Sequence, residues 1–519
     1  MEENKMSKGK EILAILLLTL VIGTGTLAWI VWSSKDNTKM NVTIGDLADV
    51  SFKTGNDINI SNLSPSFYYD DGALTEFSIR KKKGLTTELN TNIYLDITSI
   101  SDELKNDNFK YVLLSSSDGN TYNEVISSSF KDASVGKLSI VTDSPLTDGK
   151  TYYKFYIWID GNNENNETMQ GKSLKGTLNV DVSTPPVNAV TLVEGLDKGE
   201  TGDSGSGVYK VTHNAIPAES SATGSEIPAV TDYRYYGPNP NNYICLDMEG
   251  GSTCPNKHLY RIIGSIYEEK ENTNRIKVIK ATPLTDGTTS AFSWDYKVNN
   301  GKGSYDNIWA TITSGNYSNS LTSGSQLMKL LNSGAWWNGT SGSYYNQSTT
   351  ATNVNFTNYK LSDKAKSYII TSRYYLGGYI NNSILTNEMY GYERGSLRYN
   401  TDRPLYWDGM VGLMYPSDYG YAAGNSCVTG TDPYNYDGEC KNKDWLWMTT
   451  SSNYSTGVEW LMSPYSSDSL GALGVGSSGY VRIYSFVSNV GSERPVFFLS
   501  SSAIISEGEG TSAAPYILA

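Results

Sequence analysis

The chain has 519 residues, 18% of them charged, a net charge of −13, and 39 tyrosines. That length accommodates two or three domains. The acidic balance argues against nucleic acid or an anionic membrane surface as the main partner, because both demand basic patches.

Lys5, Lys8 and Lys10 precede an unbroken apolar run from Ile12 to Trp32. At about 1.5 Å per helical residue the run spans roughly 32 Å, which matches a hydrocarbon core of about 30 Å. The expectation is a single-pass membrane anchor within residues 1–35. The lysines would hold the N-terminus in the cytoplasm and the bulk of the chain would lie outside the cell. A cleaved leader is the rival reading, since Thr26-Leu27-Ala28 offers a small-residue cleavage site after Gly23-Thr24-Gly25. Either way the remainder is exported.

Residues 36–184 read as short alternating strands. Ile93, Leu95 and Ile97 share one face, as do Tyr153, Phe155, Ile157 and Ile159, and again Leu178, Val180 and Val182. Turn clusters such as Asp118-Gly119-Asn120 and Asp148-Gly149-Lys150 separate them. This period-two pattern predicts a β-sandwich. Asp160 to Glu167 is rich in oxygen ligands, yet glycine is absent from its sixth position, so it reads as a solvated hairpin turn and not a calcium loop. Gly25-Thr26-Leu27-Ala28-Trp29, with Tyr156-Ile157-Trp158-Ile159-Asp160-Gly161-Asn162-Asn163 and Gln170-Gly171-Lys172, resembles the secreted matrix-fibre and camelysin group of Firmicutes. That resemblance implies a jelly-roll-like sandwich and self-association through it.

From Thr184-Pro185-Pro186 to about residue 230 the chain is rich in Gly, Ser, Glu and Asp, with Val208-Tyr209-Lys210-Val211 as an apolar exception. Such composition predicts a flexible linker over 185–230.

Residues 231–519 predict an α+β head. Tyr260-Arg261-Ile262-Ile263 and Arg275 to Ile279 read as two strands joined by an acidic turn. A helix is expected over 325–331 with Ser323 as cap, and another over 361–375 from a capping Ser362 to Gly377-Gly378. Fourteen tyrosines fall between Tyr359 and Tyr436. Such density serves either packing or a contact surface.

The four cysteines form two local pairs, Cys245 with Cys254 and Cys427 with Cys440, expected as disulfides in an oxidising exterior. His213 and His258 are the only histidines, one in the expected linker and one beside a cysteine loop. No metal site, cofactor motif or catalytic set is expected from this pattern. Paired carboxylates for glycoside hydrolysis are a separate case, since their separation is a matter of space and not of spacing.

Leu259 to Gly264, Gly412-Leu413-Met414-Tyr415-Pro416-Ser417-Asp418-Tyr419-Gly420, Trp460-Leu461-Met462-Ser463-Pro464 and Arg494-Pro495-Val496-Phe497-Phe498-Leu499 resemble a surface module of Gram-positive bacteria. The tryptophan followed by Arg-Pro-Val is similar to the C-type-lectin-like fold of formylglycine-generating enzymes and retroelement-diversified receptors. This implies a lectin-like head with Trp460 and Arg494-Pro495 as framework. Tyr415, Tyr465, Tyr480 and Tyr484 would contact a glycan or protein ligand. The resulting expectation is a mainly β, membrane-anchored binding or adhesion protein, with a structural subunit of a surface or matrix fibre as the alternative.

Overall fold

The computed structural model describes residues 40–44, 47–83, 88–162, 166–183, 185–310, 324–379, 383–436, 438–447 and 457–519. Strand accounts for 41% and helix for 14%, a mainly β protein. The expected membrane segment Ile12–Trp32 lies outside the described residues. Among the described residues no helix is long and apolar enough to cross a membrane. Two compact units divide the chain, Met1–Pro185 and Pro186–Ala519.

In the first unit the alternating segments pair into two sheets. One runs in the order Met40–Ile44, Ala48–Phe52, Ala73–Lys81, Lys150–Asp160, Phe109–Ser116, Asn123–Ser129, with Pro65–Ser66 parallel to the end of Lys150–Asp160. The other runs Asp57–Ser61, Ser173–Ser183, Leu89–Ile100, Gly136–Leu146. A single core joins their inner faces, with Phe77, Ile79, Phe155, Ile157 and Ile159 from one sheet and Ile93, Leu95, Ile97, Leu178 and Val180 from the other. Period-two alternation thus decides which side chains leave water. At Lys175/Gly176 the register slips, and a Cβ on Gly176 would stand 2.6 Å from the Asp96 carbonyl, so only glycine lets the strands close there. The outer face of the first sheet carries a smaller apolar cluster of Val112, Leu114, Tyr156 and Trp158.

The second unit is built on a nine-stranded sheet. Its main path runs Val187–Asn188, Ile504–Glu507, Tyr516–Leu518, Tyr243–Cys245, Leu259–Glu268, Val230–Tyr236, Gly207–His213. Thr273–Lys280 pairs with Leu259–Glu268, as the two predicted strands and their acidic turn required, and on its other edge with Val496–Phe498. A three-stranded sheet, Val458–Pro464, Ala472–Gly476 and Val481–Tyr484, lies later in the chain.

Residues 185–230 are not a spacer. The helix Ala189–Gly195 buries Ala189 and Val193, capped by the Asn188 side chain on the Val190 amide. Gly207–His213 pairs along its whole length with Val230–Tyr236, and Val208, Tyr209 and His213 are buried. The apolar residues at 189, 190, 192 and 193 and at 208, 209 and 211 have enough surface to bury, which overrides the polar average around them. The helix near 325 runs Gln326–Asn332 and is capped by Ser325. The one expected over 361–375 starts at the Ser362 cap but stops after Asp363–Ser367. Ser372–Tyr375 pairs instead with Tyr406–Gly409, where aromatic residues favour the pleated surface.

Candidate functional site

The structure separates the four tyrosines expected to contact ligand. Tyr415 is only 3% exposed. Its hydroxyl accepts from the Tyr375 amide at 2.6 Å and donates to the Tyr375 carbonyl at 3.2 Å, which corrects its assignment to a surface. Tyr484 is half-buried and meets the Trp460 ring edge-on, with centroids 5.9 Å apart. Tyr465 is half-buried beside Arg398, Arg403 and Trp309, around a cavity of about 20 Å³. Tyr480 stands beside Arg482 and Lys441.

Tyr415 belongs to a buried ionic network. Arg234 holds Asp232 at 2.7 Å and Asp418 at 3.0 Å, and Lys277 reaches the second Asp418 oxygen at 2.5 Å. Glu393 accepts from the Tyr379 hydroxyl at 2.8 Å and from the Ser417 hydroxyl at 2.6 Å, and pairs with Arg394 at 3.2 Å. Burial alone would raise the Asp232 carboxyl, but Arg234 and His213 beside it hold it far below the usual carboxylate range. Burial pushes Glu393 up, against the pull of Arg394. Arg394 lies over the Tyr390 ring at 3.5 Å and Arg234 over Tyr421 at 4.6 Å. Much of the tyrosine density therefore clothes enclosed charges, since cations prefer ring faces where water is absent. His213, expected in a linker, is buried and bonds Asp232 at 2.9 Å.

Around Tyr480 the geometry differs. The turn Gly476 to Tyr480 is closed by Gly479, at a φ of 84°, and by the Gly476 amide on the Tyr480 carbonyl at 2.9 Å. The buried Tyr419 hydroxyl donates to the Gly479 carbonyl at 2.9 Å, which pins the turn. Arg482 then stands over Tyr480 at 5.0 Å and over Tyr434 at 5.2 Å. From the helix Gly438–Lys443, Lys441 stands over Trp447 at 5.1 Å and over Tyr480 at 6.0 Å. The Cys427–Cys440 disulfide closes the segment that carries Tyr434 and borders Lys441. Among the described residues neither Arg482 nor Lys441 has a carboxylate partner. Sequence reasoning missed Arg482, Lys441, Tyr434 and Trp447. The i, i+2 spacing of Tyr480 and Arg482 is the signal that links the first pair.

Both disulfides form as expected, Cys245–Cys254 and Cys427–Cys440, and fit an oxidising, extracytoplasmic setting. Near the first, Asp247, Glu249 and His258 bring ligand atoms within 4.8 Å of one another. Lys257 already sits on Glu249 at 2.8 Å and the Ser362 hydroxyl on Asp247 at 2.5 Å, so a cation and a donor from the chain itself balance this cluster.

No family model and no curated protein matches the chain.

Proposed function

We propose that this is an extracellular binding protein, anchored by Ile12–Trp32, whose second unit recognises an anionic glycan through Tyr480, Arg482, Lys441, Tyr434 and Trp447. One observation carries the reading: in a chain of net charge −13, the Tyr480 ring is flanked by Arg482 at 5.0 Å and Lys441 at 6.0 Å. A guanidinium fork matches the two oxygens of a carboxylate, sulfate or phosphate, and a ring already in contact with it holds that fork in place. The rings supply an apolar wall for the face of the sugar. The two disulfides support the extracellular setting.

Calorimetry of the full chain against polygalacturonate, chondroitin sulfate and dextran tests this. Binding to a charged polymer, weakening with salt and falling at least tenfold in Lys441→Ala/Arg482→Ala at unchanged melting temperature, is the expected result. Equal affinity for dextran, or no effect of the double substitution, sinks it.

A further inference from the structure

The first unit carries a second aromatic surface of different chemistry. Phe67, Tyr68 and Tyr69 are consecutive and are 61%, 69% and 40% exposed. They border a depression of about 420 Å³, lined also by Trp158, Asp70, Asp160 and Asn162. Isolated exposed apolar residues are ordinary on a surface, but three adjoining rings above a fourth are a patch.

The patch is held rigid. The Ser66 hydroxyl donates to Asp71 at 2.5 Å and accepts from the Tyr68 amide at 3.1 Å. The Tyr69 ring packs on Tyr156 at 5.2 Å and on Trp158 at 6.1 Å. Gly72 allows the loop to lie against the sheet, because a Cβ there would stand 2.5 Å from the Ile157 carbonyl and 2.8 Å from the Trp158 Cβ.

The polar groups select among ligands. Asp160 is committed to Lys110 at 2.6 Å and to the Asn162 amide at 3.0 Å. The Asp70 carboxylate has no hydrogen-bond partner among the described residues. No basic side chain is among the described residues that line the depression. An anion would therefore meet repulsion, whereas a neutral sugar ring would stack its C–H face on the aromatic rings and give hydroxyl protons to Asp70. A protein contact would need about 800 Å² of complementary surface on each partner. Here Lys110 lies directly across from Trp158, and Lys154 faces Glu76, so charged side chains bound the apolar area on that sheet face.

We propose that Phe67, Tyr68, Tyr69, Trp158 and Asp70 form a binding site for a neutral polysaccharide on the β-sandwich, independent of the anion-selective patch in the second unit. The test is calorimetry of the full chain, in a detergent without a sugar headgroup, against cellohexaose, chitohexaose, xylohexaose and mannohexaose, with tryptophan fluorescence as a second readout. At least one oligomer should bind and shift the emission. Phe67→Ala/Tyr68→Ala should weaken it at least tenfold with melting temperature unchanged, since both side chains are mostly in water. Absence of binding by all four, or equal binding by the double variant, overturns the proposal. A double variant altered only in self-association by sedimentation overturns it too, and makes the patch a protein contact.

Discussion

His213 lies flat against Tyr390, with ring centroids 3.6 Å apart and planes within 5°, while its Nε2 faces Asp232 at 2.9 Å. Burial depresses the imidazole's proton affinity by more than the Asp232 carboxylate restores it. The native histidine thus stays neutral where a solvated one takes up a proton, below about pH 6.5. The unfolded chain then binds more protons, so stability declines as pH drops below that value. Melting temperature should fall between pH 7.5 and 5.5, and fall less in His213→Gln. Equal slopes for the two proteins would contradict this assignment.

Glu493 titrates in the opposite sense. Both of its carboxyl oxygens are buried, and burial, with Glu459 nearby, pushes it well above the usual range against the pull of the Phe292 amide. The native state keeps a proton that the unfolded chain releases above about pH 4.5, so the group costs stability as pH rises. Glu493→Gln should stabilise the protein at pH 8 by about 1–3 kcal/mol, because the amide has no proton that the unfolded chain could release, and each unit of raised pKa is worth about 1.4 kcal/mol. At pH 4 the two proteins should denature at the same urea concentration.

Asp418 joins Arg234 and Lys277 in the interior. Asp418→Asn would leave two enclosed cations short of their counter-charge. A loss of about 3–5 kcal/mol is expected in guanidinium denaturation. A loss below about 1 kcal/mol, the value of a surface pair, would show that water reaches the site.

Tyr415 and Tyr480 should respond in contrasting ways to alanine. Truncating the buried ring, with its two bonds to Tyr375, should destabilise by about 3–5 kcal/mol, as other large core truncations do. Tyr480→Ala should leave the melting temperature within about a degree and act on ligand affinity instead. Calorimetric scans of the two variants side by side settle which residue is framework.

Each disulfide closes a short loop, with separations of 9 and 13 residues. Thiol titration of the denatured, unreduced protein should find none free, and four after reduction. Replacing Cys427 and Cys440 together by alanine should cost about 2–4 kcal/mol in a loop-entropy account. It should also weaken anionic-ligand binding, because Tyr434 and Lys441 lose their shared tether.

Alternation at Ile93, Leu95 and Ile97 and at Leu178, Val180 and Val182 announced the two sheets of the first unit, because a period of two leaves only one face for the core. Cysteine spacing announced both bridges. The folded stretch after Pro185 was hidden, since the helix with Val193 packs on Leu259–Glu268 and Thr273–Lys280, and Val208 pairs with Tyr235, beyond any local window. The ionic network was hidden for the same reason: Arg234 and Asp418 are 184 positions apart. Of the ligand-contact residues, Tyr480 showed itself by residue type alone. Lys441 and Trp447 reach it through tertiary folding, which no local pattern encodes.

Val187 pairs with Ile505, and Cys245 with Ile517, so strands from the two extremes of the second unit lie side by side in one sheet. During synthesis the outer edge of the strand around Val278 must wait for more than two hundred further residues before Phe497 arrives beside it. Such long-range closure makes assembly slow and leaves greasy edges uncovered meanwhile. A nascent chain of this design would lean on chaperones until its last strand emerges.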